Sequence, residues 1–254
     1  MRIHIEAVSL QKAGNQPSEN EDAFAPEGTS ASAGSPLLAA VADGATESLF
    51  SGHWARLLAG AFARGEVPDA AGLLAVLPEL QRQWHAHVGG KSLPWYAEEK
   101  LREGAFATLL GVRLLEQPTV DGPGTWEALA VGDSCLFQLR RDGLLRSFPL
   151  EQSAAFGSTP FLLSTHAHQN GRVGAQVRMA SGDLRDGDTL FLMTDALACW
   201  FLAEHERGQA PWTALPGSLS GEGRVAFEAL IDGLRARKAI RNDDVTLLQL
   251  SVER

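Results

Sequence analysis

Acidic residues stand at the edges of predicted strands in four separate parts of this sequence. Asp43 follows the apolar run "PLLAAVA", and Asp195 follows "TLFLMT" in the same way. Asp243 comes shortly before the apolar run "VTLLQL", and Glu21 stands near the end of a polar loop. A strand delivers its last residue to the rim of a sheet, where rigid backbone can hold a side chain towards a shared crevice. If these edges meet, each negative charge raises the pKa of the neighbouring carboxyl groups, unless a cation neutralises the charges.

A set of oxygen ligands alone selects a hard cation such as magnesium, manganese or calcium. Gly44 has no side chain, so its carbonyl can approach such a cation closely. Each acid also has an ordinary alternative, because an aspartate at a strand end commonly begins a turn or caps a helix. Asp22 then only supports Glu21, and Asp244 only supports the turn that enters the last strand. Taken together, the acids predict a cluster that binds divalent metal.

The first half of the chain contains the elements that must position Asp43. Alternating apolar residues predict a strand at residues 2–10, and an unbroken apolar run predicts a more deeply buried strand at residues 37–42. Helical spacing of apolar residues predicts a helix around residues 54–61 and a second from about 70 to 88, interrupted at Pro78.

The second half begins with three apolar runs, "ATLLGVRLL", "WEALAV" and "CLFQLR", and the turn "RRDGLL". Together they predict an antiparallel meander. "DTLFLMTD" predicts a buried strand, "ALACWFLAEHERG" a helix that stops at a glycine, residues 224–238 a further helix, and "VTLLQLSV" a closing strand. Because strands and helices come in separate clusters, we expect antiparallel sheets covered by helices.

Composition restricts the class of protein. A chain of 254 residues with 44% hydrophobic residues can bury one large core, so we expect a single domain over residues 1–254. The net charge of −9 argues against nucleic-acid binding. No apolar run approaches the roughly 18 residues of a membrane span, so we expect a cytoplasmic protein. Cys135 and Cys199 form neither a disulfide framework nor a zinc quartet, and both are expected to be small buried side chains.

Five motifs resemble those of the metal-dependent protein phosphatases of type 2C, the PPM family. They are "NEDAF", "VADGA", "ALAVGDSCLFQLR", "GDTLFLMTDAL" and "RNDDVTLLQL", in the order of the family and over about residues 21–252. The resemblance implies an α+β fold in which helices flank a sandwich of two antiparallel sheets on both sides. It also implies a site for two divalent cations, Mn or Mg, at one end of the sandwich.

The resemblance assigns roles to individual residues. Asp43 would bridge both cations. Glu21 and the Gly44 carbonyl would serve one cation, and Asp195 and Asp243 would serve the other. In this mechanism the two cations lower the pKa of a bridging water and offset charge on the phosphoryl oxygens, and no covalent enzyme intermediate is required. Asp43 and Asp195 are therefore the predicted catalytic residues.

Other positions match the family less closely. Glu103 stands where the family has an aspartate for a third cation, and Asp133 in "VGDSC" is expected to order a turn or support the ligands. The family usually has an arginine for the substrate phosphate where this chain has Pro17. Lys12, in the same loop, is the candidate to replace it as a point charge. Ala45 stands where some members have a histidine after Asp-Gly.

The resemblance implies a serine/threonine phosphoprotein phosphatase whose partners are a phosphorylated protein and a cognate serine/threonine kinase. Two alternatives remain open. One is a pseudophosphatase that acts as a binding or regulatory module, which the loss of arginine at Pro17 favours. The other is a phosphate-ester hydrolase with the same metal core and a non-protein substrate. His53 opens the helix after the Asp-Gly turn, where we favour a surface role over a catalytic one.

Overall fold

The structure is a computed structural model that describes residues 2–26, 30–32, 36–46, 48–91, 95–116, 124–157 and 159–253. The strands are β1 Arg2–Leu10, β2 Ala23–Ala25, β3 Ser30–Ser32, β4 Leu37–Ala42, β5 Phe106–Ala107, β6 Leu109–Leu115, β7 Gly124–Val131, β8 Cys135–Arg140, β9 Gly143–Phe148, β10 Leu163–Ser164, β11 Arg178–Leu184, β12 Thr189–Met193 and β13 Val245–Glu253. The α-helices are α1 Ser51–Ala63, α2 Ala70–Val88, α3 Trp95–Glu103, α4 Val173–Gln176, α5 Asp195–Glu206 and α6 Glu222–Ala236.

Two antiparallel sheets form the centre of the fold. One has six strands in the order β3-β1-β13-β12-β8-β9, and the other has five in the order β11-β7-β6-β4-β2. A short two-stranded sheet pairs β10 with β5. Apolar side chains from the inner faces of the two large sheets, among them Val41, Leu110 and Leu248, pack into one buried cluster. This cluster is the core of the sandwich.

Side chains alternate along the strands and so fill a helix-facing layer as well as the sandwich. On β12, Leu190 and Leu192 face the other sheet, whereas Phe191 and Met193 pack in the cluster that contains residues of α5 and α6. On β4, Ala40 and Ala42 belong to the cluster formed with α1 and α2. The result is four layers, helix on sheet on sheet on helix, which confirms the predicted fold class.

The predicted meander is wrong at one step. β6 and β7 pair in the five-stranded sheet, but β8 pairs with β9 and β12 in the six-stranded sheet. The chain therefore crosses between the sheets after β7. Gly132 begins this crossing with φ 101°, and a Cβ there would lie 2.6 Å from Thr108 Cγ2. The apolar runs of β7 and β8 look alike in sequence, so pattern alone could not separate the sheets.

The helices also differ from the prediction. Helix α2 runs through Pro78 without interruption, and Pro78 lies on its exposed side. Proline removes one helical hydrogen bond, and at an exposed position water can bind the carbonyl left without a partner. Helix α3 and strand β11 were not predicted, since neither has a regular apolar pattern. Within the described residues, no helix combines the length and the hydropathy that crossing a membrane requires.

Packing between β6 and α1 makes a prediction about stability. A Cβ at Gly111 would lie 2.3 Å from the Phe62 ring, which is itself buried. We expect Gly111→Ala to lower the free energy of unfolding by about 1–3 kcal/mol, because the core has no room for the methyl group. Urea unfolding measures this. The control is Gly171→Ala, where φ is −59° and no atom lies within 4 Å of the added Cβ. Equal stability of the two variants would contradict the packing described here.

Candidate metal centre

Four carboxylates from separate parts of the chain line one cavity of about 190 Å³, which we call the acidic pocket. Asp43 follows β4, Asp133 lies in the turn between β7 and β8, Asp195 is the first residue of α5, and Asp243 comes before β13. The structure thus brings three of the predicted ligands together and adds Asp133 to them. The strand ends of both sheets meet at this edge of the sandwich, as the sequence pattern predicts.

Backbone hydrogen bonds fix the Asp-Gly turn. The Asp43 N–H donates to Thr108 Oγ1 at 2.9 Å, and the Thr108 N–H donates to the Asp43 carbonyl at 2.8 Å. Thr108 Oγ1 also lies 2.9 Å from Ser134 Oγ. Gly44 forms a bridge to Ala107 of β5. These contacts hold the backbone of Asp43 without using its carboxylate, which lines the pocket and has a hydrogen bond with Asp195.

Glu21 lies against this turn, but its side chain faces a neighbouring groove. A Cβ at Gly44 would be 2.7 Å from the Glu21 carbonyl oxygen, so only glycine allows the two segments this close approach. Glu21 Oε1 accepts a hydrogen bond of 2.6 Å from Ser51 Oγ. The groove lined by Glu21 and the acidic pocket share one lining residue, Thr46. The predicted ligand set is therefore distributed over two adjoining cavities.

Asp244 connects the polar loop to the last strand. Its Oδ1 accepts the N–H of Lys12 and its Oδ2 accepts the N–H of Glu21, each at 2.7 Å. Asp244 is buried, so these bonds are shielded from water. The carboxylate thus fixes the backbone position of Glu21.

Asp22 lies beneath the centre and has one oxygen unused. Its Oδ2 accepts hydrogen bonds from Thr194 Oγ1 at 2.9 Å and from Thr246 Oγ1 at 2.8 Å. Its Oδ1 is buried and has no hydrogen-bond partner within the described part of the chain. An unpartnered buried carboxylate oxygen is costly, and a cation or a water held near it would remove that cost.

Burial and mutual repulsion shift the titration of the carboxylates in the pocket. Burial raises the pKa of Asp43 well above its usual range, and the charges of Asp22 and Asp195 raise it further. Burial also raises the pKa of Asp195, an effect that the nearby Arg241 guanidinium opposes. The pKa of Asp133 rises to about 6, mainly through burial and then through Asp195. Carboxyl groups that resist ionising together ionise more easily when a cation lies among them. Their raised pKa values therefore favour a bound cation.

Arg241 is the residue of this site that sequence reasoning missed. Its Nη1 donates to Asp195 Oδ2 at 3.2 Å, and its side chain lines the acidic pocket. Its position two residues before Asp243 was the available signal, but no motif marks an arginine at that position.

Lys12 and Glu103 lie elsewhere. Lys12 Nζ is 3.7 Å from Glu21 Oε2 and 3.4 Å from Thr46 Oγ1, and it lines the neighbouring groove. Glu103 ends α3 with an exposed side chain, and it is not among the described residues that line the acidic pocket. Its role as a ligand of a third cation stays a prediction.

The donor set fits a hard divalent cation in its chemistry. The pocket offers the oxygens of Asp43 and Asp195, two carboxyl groups with raised pKa values. Beneath it lies Asp22 Oδ1, which has no hydrogen-bond partner in the described part of the chain. Among the residues that the structure describes, no three His, Cys, Asp or Glu side chains are already arranged to hold an ion. The chemistry of the donor set therefore fits a cation, whereas a complete ligand geometry is not formed among these residues.

Repulsion in the pocket predicts that a neutral substitution stabilises the metal-free protein. A carboxyl group with a raised pKa in the folded state stabilises the fold while it is protonated, and this contribution is lost as pH rises through that pKa. In EDTA at about pH 8, we expect Asp43→Asn to raise the free energy of unfolding by about 1 kcal/mol or more. When the pH is lowered to about 5 the difference from wild type should shrink, because the raised pKa of Asp43 favours the protonated form as the pH falls.

Urea unfolding at both pH values measures this difference. The control is Asp142→Asn, which changes an exposed acid in the β8–β9 turn. A metal-free Asp43→Asn protein that is less stable than wild type at about pH 8 would mean that the carboxylates do not repel as described.

Comparison with known proteins identifies the family. The sequence matches the model of the protein phosphatase 2C family over residues 13–235, and no curated protein matches it. Among solved structures, the serine/threonine phosphatase PstP/Ppp of Mycobacterium tuberculosis has 19% identity and a TM-score of 0.62, with both chains covered over 100%. The catalytic domain of PstP in complex with two manganese ions has 19% identity and a TM-score of 0.58, covering 99% of this chain and 100% of that one.

The phosphatase MsPP of Mycobacterium smegmatis, in complex with cacodylate, has 18% identity and a TM-score of 0.53, with coverage of 98% and 97%. At such identities the structural likeness shows the fold. The family match spans most of the chain, and the chain therefore belongs to the protein phosphatase 2C family.

Proposed function

We propose that the protein is a divalent-cation-dependent phosphatase that hydrolyses phosphate monoesters on serine and threonine residues of phosphoproteins. One observation carries the proposal. Four carboxylates from separate elements line a single buried pocket, and among its described lining residues one cation, Arg241, faces them. Negative charge in excess at a buried site is the condition under which divalent cations bind strongly. The family and the fold supply the reaction class.

The residues that would hold two manganese or magnesium ions are Asp43, Asp195 and Asp243 in the pocket, with Glu21 and the Gly44 carbonyl beside it. When bound, two such ions supply a water of lowered pKa and positive charge for the phosphoryl oxygens. The structure of PstP with two manganese ions supports this stoichiometry.

The chain's own residues orient the reaction and limit water. Thr108 holds the backbone of Asp43, so the position of its carboxylate is set before substrate arrives. Phe156, Pro160 and Leu162 line the acidic pocket together with the acids. An apolar wall of this kind lowers the local dielectric constant and strengthens every charge interaction within the pocket.

Arg241 is the candidate for the substrate phosphate within the pocket. In the structure its guanidinium is paired with Asp195. Once Asp195 serves as a ligand, this pair weakens, and the guanidinium can donate to phosphoryl oxygens in the bidentate geometry that arginine favours. It would then perform the task for which Pro17 lacks both charge and donor. Lys12 is the earlier candidate for the same task.

The partners follow from the proposal. The substrate is a phosphorylated protein, and a serine/threonine kinase must supply it. A location in the cytoplasm stays a prediction. The alternative, a binding module without turnover, is favoured by Pro17 alone.

Metal-dependent hydrolysis tests the proposal. With manganese present, we expect wild type to hydrolyse p-nitrophenyl phosphate and a phosphothreonine peptide. Asp43→Asn and Asp195→Asn should each lower kcat/KM at least about 100-fold, because direct ligands matter more than the residues that support them. Asp142→Asn, an exposed control, should keep full activity.

Manganese binding, measured by isothermal titration calorimetry, separates the alternatives. A folded wild type that binds manganese and hydrolyses neither substrate would favour the binding module. Full activity in both ligand variants would exclude a mechanism at the acidic pocket.

Two single variants decide whether the Arg241 or the Lys12 side chain binds the substrate phosphate. We expect Arg241→Ala to lower kcat/KM for p-nitrophenyl phosphate about 10–100-fold, the value of one lost hydrogen bond between charged groups. It should also tighten manganese binding, since Arg241 competes with the ion for Asp195. Lys12→Ala should leave this small substrate almost unaffected. The reverse order of effects would assign the phosphate to Lys12.

A further inference from the structure

A groove of about 540 Å³ adjoins the acidic pocket and carries the opposite charge. Its cations come from four segments: the loop after β1, helix α1, the segment after α2 and helix α3. We call it the basic groove, and its cationic side chains are Lys12, Arg56, Lys91 and Lys100. The rings of His53 and His87 also line it, and these four cations outnumber the two carboxylates of the lining, Glu19 and Glu21. Thr46 lines both cavities, so a chain bound in the groove reaches the pocket directly.

Composition does not explain this concentration of cations. The chain has a net charge of −9 and four lysines, and three of those lysines line the basic groove. Within the described residues, no carboxylate lies within salt-bridge distance of Arg56, Lys91 or Lys100. Lys12 alone has an acidic partner, Glu21 at 3.7 Å. The groove is therefore a region of positive charge on an acidic protein.

Packing holds part of this charge in place. The His53 and His87 rings stack with their centroids 3.8 Å apart, and Lys91 Nζ lies 2.9 Å from His87 Nε2. Lys91 Nζ also lies 4.4 Å from the centre of the Phe50 ring. Burial, followed by the charges of His87, Arg56 and Lys91, lowers the pKa of His53 to about 4. Side chains that are held in position lose less entropy when they bind an anion.

We propose that the basic groove binds anionic groups beside the phosphorylated residue of the substrate, so that the protein acts on acidic or multiply phosphorylated segments. This inference rests on the proposed phosphatase function. Carboxylates and a second phosphate share the chemistry that lysine and arginine recognise. Asn15 and Ser18 also line the groove, so it passes the loop in which Pro17 stands. Cations from α1, α3, the segment after α2 and that loop thus contribute affinity that a single arginine gives elsewhere in the family.

Peptide kinetics with manganese test the inference. The probes are p-nitrophenyl phosphate and four phosphothreonine peptides of one length, with glutamate, glutamine, lysine or a second phosphothreonine beside the target. We expect wild type to prefer the glutamate peptide over the lysine peptide about tenfold in kcat/KM, mainly through KM. The preference should fall when NaCl rises from 50 to 500 mM. Comparison of the glutamate and doubly phosphorylated peptides identifies the preferred anion.

Charge variants locate the effect. Arg56→Gln/Lys91→Gln should lose the preference and keep activity on p-nitrophenyl phosphate, because this substrate has no flanking group. Arg56→Glu/Lys91→Glu should reverse it and favour the lysine peptide, an outcome that misfolding cannot produce. The control Arg82→Gln/Arg224→Gln removes two charges at exposed positions outside the groove lining and should keep the preference.

Three results would overturn the inference: equal rates of wild type on all four peptides, an unchanged preference in the glutamine double variant, or displacement of the acidic peptide by an equimolar single-stranded oligonucleotide. If p-nitrophenyl phosphate is not hydrolysed at all, the proposed function fails by itself. Fluorescence anisotropy of the same peptides then decides the matter. Tighter binding of the acidic peptide to wild type than to the glutamine double variant supports the groove, and equal binding rejects it.

Discussion

Repulsion among buried carboxylates is the constraint on which the rest of this structure depends. Two unit charges about 4 Å apart repel by about 4 kcal/mol at an effective dielectric constant of 20. Several such pairs would cancel much of the free energy of unfolding of a folded domain, which is roughly 5–15 kcal/mol. The fold tolerates Asp43, Asp195 and Asp243 in one pocket because separate elements fix each of them by its backbone. The two sheets with their three apolar clusters provide the rigidity.

Two cavities adjoin at this edge of the sandwich, one lined mainly by acids and the other by more cations than acids. Under the functions proposed above, this arrangement would separate the reaction from substrate recognition. A dianionic phosphate monoester is repelled by the acidic pocket until cations occupy it. The basic groove attracts the same molecule at all times, and its field raises the local concentration of anionic segments beside the pocket. Thr46 lines both cavities and lies where they meet. On a chain with a net charge of −9, such a local field would be the means of meeting the anionic segments proposed as substrates.

The sequence predicted those parts of the fold and site that depend on local pattern. Alternation identified β1, and continuous apolar runs identified β4, β12 and β13. The acids next to these apolar runs indicated the pocket, because strand ends meet at a sheet edge. What it could not predict depends on distant contacts. The partners of Asp244 lie 232 and 223 residues away along the chain, so no pattern around Asp244 announces them. The basic groove draws its cations from four segments without a shared motif, and the crossing after β7 separates two apolar runs that look alike.

The position of β13 has a consequence for how the protein is made. β13 lies in the middle of its sheet, between β1 and β12, and Asp244 just before it holds the backbone of Lys12 and Glu21. During synthesis, the backbone of the loop that carries Glu21 therefore cannot be fixed in this way until the segment that contains Asp244 has been made. A nascent chain that has not yet reached Asp244 lacks the contact that sets the Glu21 backbone, so the proposed cation site could form only after this segment is present.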